Sequence, residues 1–138
     1  MKVRQAMHKN VEWREPNTTA AELAKVMRDE DIGSVPIGEN DRLVGMVTDR
    51  DLVLRVLTHG GDASEVTARD IMSKGVIYCE DDDSVEEAIE LMQKKQVRRL
   101  PVIDDDKRMV GMLSLGDISH AASQAKSGAL VKSVSAHH

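Results

Sequence analysis

The sequence has no phenylalanine, one tryptophan (Trp13) and one tyrosine (Tyr78). So few aromatic side chains leave no platform on which the bases of a single strand could stack. Basic residues are not in excess either: 19 Lys and Arg stand against 24 Asp and Glu, a net charge of −5. That balance speaks against the basic stripe of a phosphate-backbone binder, so no nucleic-acid polymer is expected as a partner. The lone Cys79 cannot build an internal disulfide, and a small buried hydrophobe in a strand is its expected role. No apolar run approaches the ~20 residues of a membrane helix. The opening "MKVRQAMHKN" has no apolar core of signal-peptide type. A cytoplasmic protein with no membrane association is expected.

What is present is a folded-protein composition, 41% hydrophobic and 31% charged over 138 residues. Eight methionines supply adaptable packing where aromatics are missing. The chain is also a tandem repeat. Met7 pairs with Met72, Val11 with Val76, Met27 with Met92 and Pro36 with Pro101, each 65 positions on. Gly45 and Gly111, Thr48 and Ser114, and Asp51 and Asp117 are 66 apart, so one residue is inserted in the second copy, in the acidic loop "DDDKR". Repeats are expected over 1–62 and 63–124, followed by a flexible tail over 125–138.

Each copy predicts the order β–α–β–β–α. A short strand (Val11 to Trp13; Val76 to Cys79) leads through a polar link to a helix opened by a capping box, Thr19 with Glu22 and Ser84 with Glu87. Apolar residues then recur at helical spacing: Leu23, Val26 and Met27, and Ala88, Leu91 and Met92. Two β-rich stretches joined by turn-forming residues predict an antiparallel hairpin. A second helix follows, with Leu52, Val53 and Val56 as its buried face and Gly60-Gly61 as its stop. The fold class is α/β (α+β). One copy of about 60 residues buries little core and is marginal alone, so two copies are expected to pack sheet on sheet with pseudo-twofold symmetry, leaving clefts at the seam.

One phrase recurs at the hairpin-to-helix junction: "GMVTDRDL" and "GMLSLGDI". A hydroxyl three residues before an aspartate at a helix start is what an N-cap wants, and the cap alone accounts for these residue types. The same geometry also suits a ligand. A helix N-terminus with a hydroxyl can receive phosphate, and a carboxylate can accept from the vicinal hydroxyls of a ribose. Both together would mean a nucleotide or nucleoside.

"IGSVPIGENDRLVGMVTDRDL" and "VRRLPVIDDDKRMVGMLSLGDI" resemble the C-terminal part of a CBS domain, of the cystathionine-β-synthase type. Two in tandem resemble a CBS pair, or Bateman module, of the stand-alone kind, and the likeness covers almost the whole chain. It implies a regulatory module that binds an adenosine derivative (AMP, ADP, ATP or S-adenosylmethionine), with no obligatory cofactor. By that resemblance one site would use Thr48, Arg50 and Asp51 with Met72, Val76, Ile77, Val97 and Arg98, with Arg99 beside it. The other would use Ser114, Gly116 and Asp117 with Met7, Val11, Glu12, Ile32, Gly33 and Ser34. Arg50 in the first motif, against Leu115 and Gly116 in the second, predicts that the Asp51 site takes the more highly phosphorylated ligand.

No other constellation carries chemistry. "EDDD" and "DDD" lack the spacing of a calcium loop and read as solvated turns. His8, His59 and His120 show no two-ligand spacing, His137 and His138 end the chain, and no metal site is expected. No nucleophile or acid–base motif is present, so the chain is not expected to be an enzyme. The expected partners are a small-molecule nucleotide, a second copy in a homodimer through Leu52, Val53, Val56 and the Ile118 helix, and a protein target the sequence does not name. A ligand-free dimerisation or interaction scaffold, and a sensor of S-adenosylmethionine or NAD(H), stand as alternatives.

Overall fold

The structure, a computed structural model, describes residues 1–9, 11–58 and 60–124. The expected tail, 125–138, and His59 lie outside the described residues. The elements are α1 (Val3–Ala6), α2 (Ala20–Glu30), β1 (Ser34–Glu39), β2 (Arg42–Thr48), α3 (Asp49–Leu52) running into a π-helical turn (Val53–Leu57), α4 (Ala68–Ile71), β3 (Cys79–Glu80), α5 (Val85–Lys95), β4 (Arg99–Ile103), β5 (Met109–Ser114) and α6 (Leu115–Gln124). Mixed helices and strands make this an α+β fold.

The chain forms two compact units. One joins residues 1–11 to the chain from residue 77 onward, and the other is Glu12–Val76. The units therefore do not follow the repeat spans 1–62 and 63–124. Backbone hydrogen bonds give the reason. In the first unit the amides of Val3 and Arg4 donate to the carbonyls of Asp83 and Asp81 at 2.8 and 3.0 Å, and Val85 donates to Met1 at 2.9 Å. The same ladder recurs in the second unit, where Ala68 and Arg69 donate to Thr18 and Pro16 at 2.8 and 3.0 Å and Ala20 donates to Val66 at 2.8 Å. Each repeat lends its short first helix to the unit built around the other repeat.

The hairpins match residue for residue. In β1–β2 the pairs include Ser34 with Thr48, Pro36 with Met46 and Ile37 with Gly45. In β4–β5 they include Arg99 with Ser114, Pro101 with Met112 and Val102 with Gly111. Both ladders slip at the next step, between Ile37 and Gly38 and between Val102 and Ile103. The first hairpin closes over Asn40 and Asp41, both at positive φ (55° and 64°), the conformation a two-residue hairpin turn demands. The second closes over a longer loop built round one carboxylate: Asp104 Oδ1 accepts from the amides of Asp106 and Arg108 at 2.9 and 3.0 Å. The inserted residue and the acidic run both lie in this turn.

The first strand of each copy is shorter than predicted. In the second copy only Cys79–Glu80 pairs, parallel to Val102–Ile103. In the first copy Val11 to Trp13 forms no strand, and a single bridge joins Arg14 to Ile37. Pro16, two residues on, has no N–H to extend that ladder. The capping boxes also differ. Ser84 and Glu87 exchange both bonds, whereas Thr19 accepts from Glu22 but receives no return from its side chain.

Helical spacing places the cores as expected. Leu23 and Met27 of α2 join Val35, Ile37, Val47 and Val56. Ala88, Ile89 and Met92 of α5 join Leu100, Val102, Leu113 and Ile118. Cys79 is buried in the second of these cores, and burial pushes its thiol up to about 12, with help from the nearby Asp83 charge.

Candidate functional site

The two copies of the repeated phrase fold alike. The Thr48 amide donates to Asp51 Oδ2 at 2.9 Å, and the Asp51 amide donates back to Thr48 Oγ1 at 3.1 Å. In the other unit the Ser114 amide donates to Asp117 Oδ2 at 3.1 Å, and the Asp117 amide to Ser114 Oγ at 3.0 Å. Each motif is a reciprocal cap. It uses one carboxylate oxygen and leaves Oδ1 to point elsewhere from a fixed frame. Both aspartates are half-buried.

The glycine that opens each phrase has a packing cause. A Cβ on Gly111 would stand 2.8 Å from Met7 Sδ, and one on Gly45 would overlap the side chain of Met72. Met7 and Met72 are equivalent residues of the lent segments, and each packs on the core of its own unit: Met72 is 7% exposed, and Met7 lies against the core that holds Leu113 and Ile118.

The helix starts are not equally open. In the Thr48 motif the Asp49 amide donates to the Gly33 carbonyl at 2.9 Å and the Arg50 amide to Asp49 Oδ1 at 2.8 Å. Three successive N–H groups are thus spent within the protein. In the Ser114 motif the Leu115 amide donates to the Arg98 carbonyl at 3.1 Å. The Gly116 N–H takes no partner among the described residues, and Gly116 is exposed.

Backbone bonds within each unit set which of the expected residues adjoin which motif. Within its unit, Ser34 sits opposite Thr48 and Gly33 bonds to Asp49, so Ile32, Gly33 and Ser34 adjoin the Asp51 motif. Arg99 sits opposite Ser114 and Arg98 bonds to Leu115, so Val97, Arg98 and Arg99 adjoin the Asp117 motif. The sequence expectation had grouped each set with the other motif. Arg98 and Arg99 are exposed and make no ion pair among the described residues, and the same holds for Arg50. Beside Arg98 and Leu115 lies a cavity of about 310 Å³, also lined by Ile89, Met92, Gln93, Gln96 and Val97. That is at the lower end of small-molecule pockets.

The remaining expected residues have local roles. Val11 is half-buried and its amide donates to Lys9 at 3.1 Å. Glu12 pairs with Arg14 at 3.2 Å. Val76 and Ile77 are half-buried, Ile77 against the core that holds Cys79. Sequence reading missed Arg55, which approaches Asp51 Oδ1 at 3.8 Å, and Asp49, whose carboxylate sits against Gly33. Comparing the copies position by position would have found both, since their counterparts are Ala121 and Leu115. Among the described residues no group of three or more His, Cys, Asp or Glu side chains could hold a metal ion, and no helix is long and apolar enough to cross a membrane.

Two repeats with matched hairpins, each ending in a hydroxyl–carboxylate cap, define a tandem-repeat α+β fold. The CBS domain family model matches residues 3–58 and 68–124, and the chain belongs to that family, with two CBS repeats in tandem. It is 47% identical over 104 residues, 75% of its length, to an uncharacterised protein of Methanopyrus kandleri, of which it spans 53%. It is 40% identical over 102 residues to hypoxic response protein 1 of Mycobacterium tuberculosis, covering 73% of this chain and 71% of that one. The structure of hypoxic response protein I with two coordinated zinc ions superposes with a TM-score of 0.79 at 36% identity, over 87% of this chain and 98% of that one. CBSX2 in complex with AMP superposes at 0.78 with 26% identity, over 91% and 98%. The CBS pair of protein MJ0100, in complex with 5-methylthioadenosine and S-adenosyl-L-methionine, superposes at 0.75 with 27% identity, over 91% and 98%.

Proposed function

We propose that the protein is a non-catalytic regulatory module that binds an adenine nucleotide of the AMP, ADP or ATP type and passes its ligand state to a protein target in the cytoplasm. The observation that carries this reading is the fixed Oδ1 of Asp117, which the cap leaves unused, in a motif whose Gly116 N–H is open and whose backbone neighbours Arg98 and Arg99 make no ion pair among the described residues. A vicinal diol needs a carboxylate acceptor, and a phosphate needs N–H groups and guanidinium. CBSX2 with AMP, a family member of the same fold, supports the choice of ligand class.

On these adjacencies we read the order of the two motifs the other way from the sequence expectation. Arg98 and Arg99 adjoin Ser114, while the Thr48 motif carries the extra carboxylate of Asp49 and has spent its first amides. The Asp117 motif is therefore the one that favours a phosphorylated ligand. The Asp51 motif suits a less anionic adenosyl compound, and the MJ0100 complex with S-adenosyl-L-methionine makes that the second reading for this half.

The dimer face moves as well. Val56 and Ile118 are 2% and 0% exposed and belong to the cores. Val53, Leu54 and Leu57 are 50%, 43% and 71% exposed along one turn, and this patch is the surface proposed for a second copy.

Thermal denaturation with AMP, ATP and S-adenosylmethionine tests the reading. Stability should rise by about 2.7 kcal/mol at a hundredfold excess over the dissociation constant. No shift with any of the three would favour the ligand-free scaffold.

A further inference from the structure

The two motifs differ at one position that faces the carboxylate. Four residues after Asp51 stands Arg55; four after Asp117 stands Ala121. Arg55 Nε lies 3.8 Å from Asp51 Oδ1, the oxygen that the cap does not use. Its Nη1 donates at 2.9 Å to the carbonyl of Ile71, the last residue of α4. Ile71 is 2% exposed, and the next residue, Met72, fills the space over Gly45. One planar guanidinium with several donors therefore joins the motif carboxylate to the end of a helix from elsewhere in the sequence.

We propose that Arg55 couples occupancy of the Asp51 motif to the C-terminal end of α4, and that the Asp117 motif has no such output. The proposal rests on the nucleotide reading given above. A ligand hydroxyl that donates to Asp51 Oδ1 draws on the same oxygen as the guanidinium. Binding loosens the Asp51–Arg55 contact, and the change reaches the Ile71 peptide through the other arm of the side chain. The link is weak by design of its geometry. At 3.8 Å, with the arginine side chain 50% exposed, such a pair contributes little, so a ligand can displace it reversibly. The methyl group of Ala121 cannot reach Asp117 Oδ1 and a backbone carbonyl together. One half then reads out its ligand, and the other only holds it.

The test is an NMR titration of the wild-type protein and Arg55→Ala with AMP and, for the Asp51 motif, with S-adenosylmethionine; if neither moves the Asp51 amide, the coupling falls. The signals followed are the amides of Thr48, Asp51 and Asp117 and the carbonyl carbon of Ile71. In the wild type, occupancy of the Asp51 motif should move its amides and the Ile71 carbonyl together. In Arg55→Ala the Thr48 and Asp51 amides should still respond, the Ile71 carbonyl should not, and affinity there should rise by up to about fivefold, as release from a surface ion pair allows. An Ile71 response that persists without Arg55, or that is missing from the wild type while the Asp51 amide moves, would overturn the coupling and leave nucleotide binding intact. AMP that moves neither motif's amides would overturn the nucleotide reading. Should Arg55→Ala unfold, Arg55→Gln keeps a donor for Ile71 and removes the charge facing Asp51. The affinity gain should then persist, and its absence would overturn the proposal.

Discussion

Met7 occupies the space that a side chain on Gly111 would need. A Cβ there would meet Met7 Sδ at 2.8 Å and the His8 carbonyl oxygen at 2.9 Å. For a Cβ on Gly45 the three nearest atoms all belong to the side chain of Met72. The two glycines are equivalent in sequence, and their obstacles differ in stiffness.

Gly45→Ala and Gly111→Ala should each lower stability by about 1–3 kcal/mol, the cost of overpacking. The rescue should differ. Adding Met72→Ala to Gly45→Ala should give a double variant far less damaged than the sum of the singles, because the obstacle has been removed. Met7→Ala should relieve Gly111→Ala only in part, since the His8 carbonyl is backbone and stays. Chemical denaturation of both cycles checks this. Equal coupling in the two would contradict it.

Cys79 gives a prediction in alkali. Its folded-state thiol is pushed from 9.0 to about 12, mainly by burial. A raised acid favours the folded state fully below the unfolded value. That contribution is lost as pH rises from about 9 toward 12. Cys79→Ala or Cys79→Val should flatten the loss of stability over this window. At neutral pH the native thiol should resist alkylation that goes to completion in denaturant, as expected of a thiol 3% exposed.

Arg98 and Arg99 should discriminate phosphate. Replacing both by alanine should weaken AMP and ATP far more than adenosine, by about 1.5–3 kcal/mol per lost charged hydrogen bond, and lower the salt dependence of binding. Equal losses for adenosine and AMP would show that the arginines act elsewhere.

Leu57 is 71% exposed. If Val53, Leu54 and Leu57 meet a second copy, Leu57→Lys should shift sedimentation toward the monomer at micromolar protein without lowering the thermal midpoint of the fold. An unchanged sedimentation coefficient would dismiss this face.

The repeat, the hairpins and the capped helices were legible because each rests on local chemistry. Proline, turn residues and a hydroxyl three before an acid all act within a few positions. The buried face after Asp51 was legible in part: Val56 is buried and Leu52 packs against the same core, but Val53 is 50% exposed. Leu52, Val53 and Val56 assume 3.6 residues per turn, but Val53–Leu57 is π-helical, with the Thr58 amide reaching back to Val53, and the wider turn carries Val53 outward. The grouping of Gly33 and Arg98 also escaped the sequence. Both lie in the stretch between helix and strand, and their partners are set by hairpin register, which pairs Ser34 with Thr48 and Arg99 with Ser114. The exchange of α1 and α4 between units leaves no mark in composition, because both copies carry the same short helix.

The most direct test is calorimetry with AMP on the wild type and on Asp117→Asn. Asparagine keeps one acceptor for the Ser114 amide, so the cap and the fold should survive, within about 1 kcal/mol. The other oxygen becomes a donor that a ribose diol cannot use as its acceptor. The account predicts that the tighter AMP site disappears while the thermal midpoint of the free protein barely moves. AMP binding as tight in Asp117→Asn as in the wild type would contradict it.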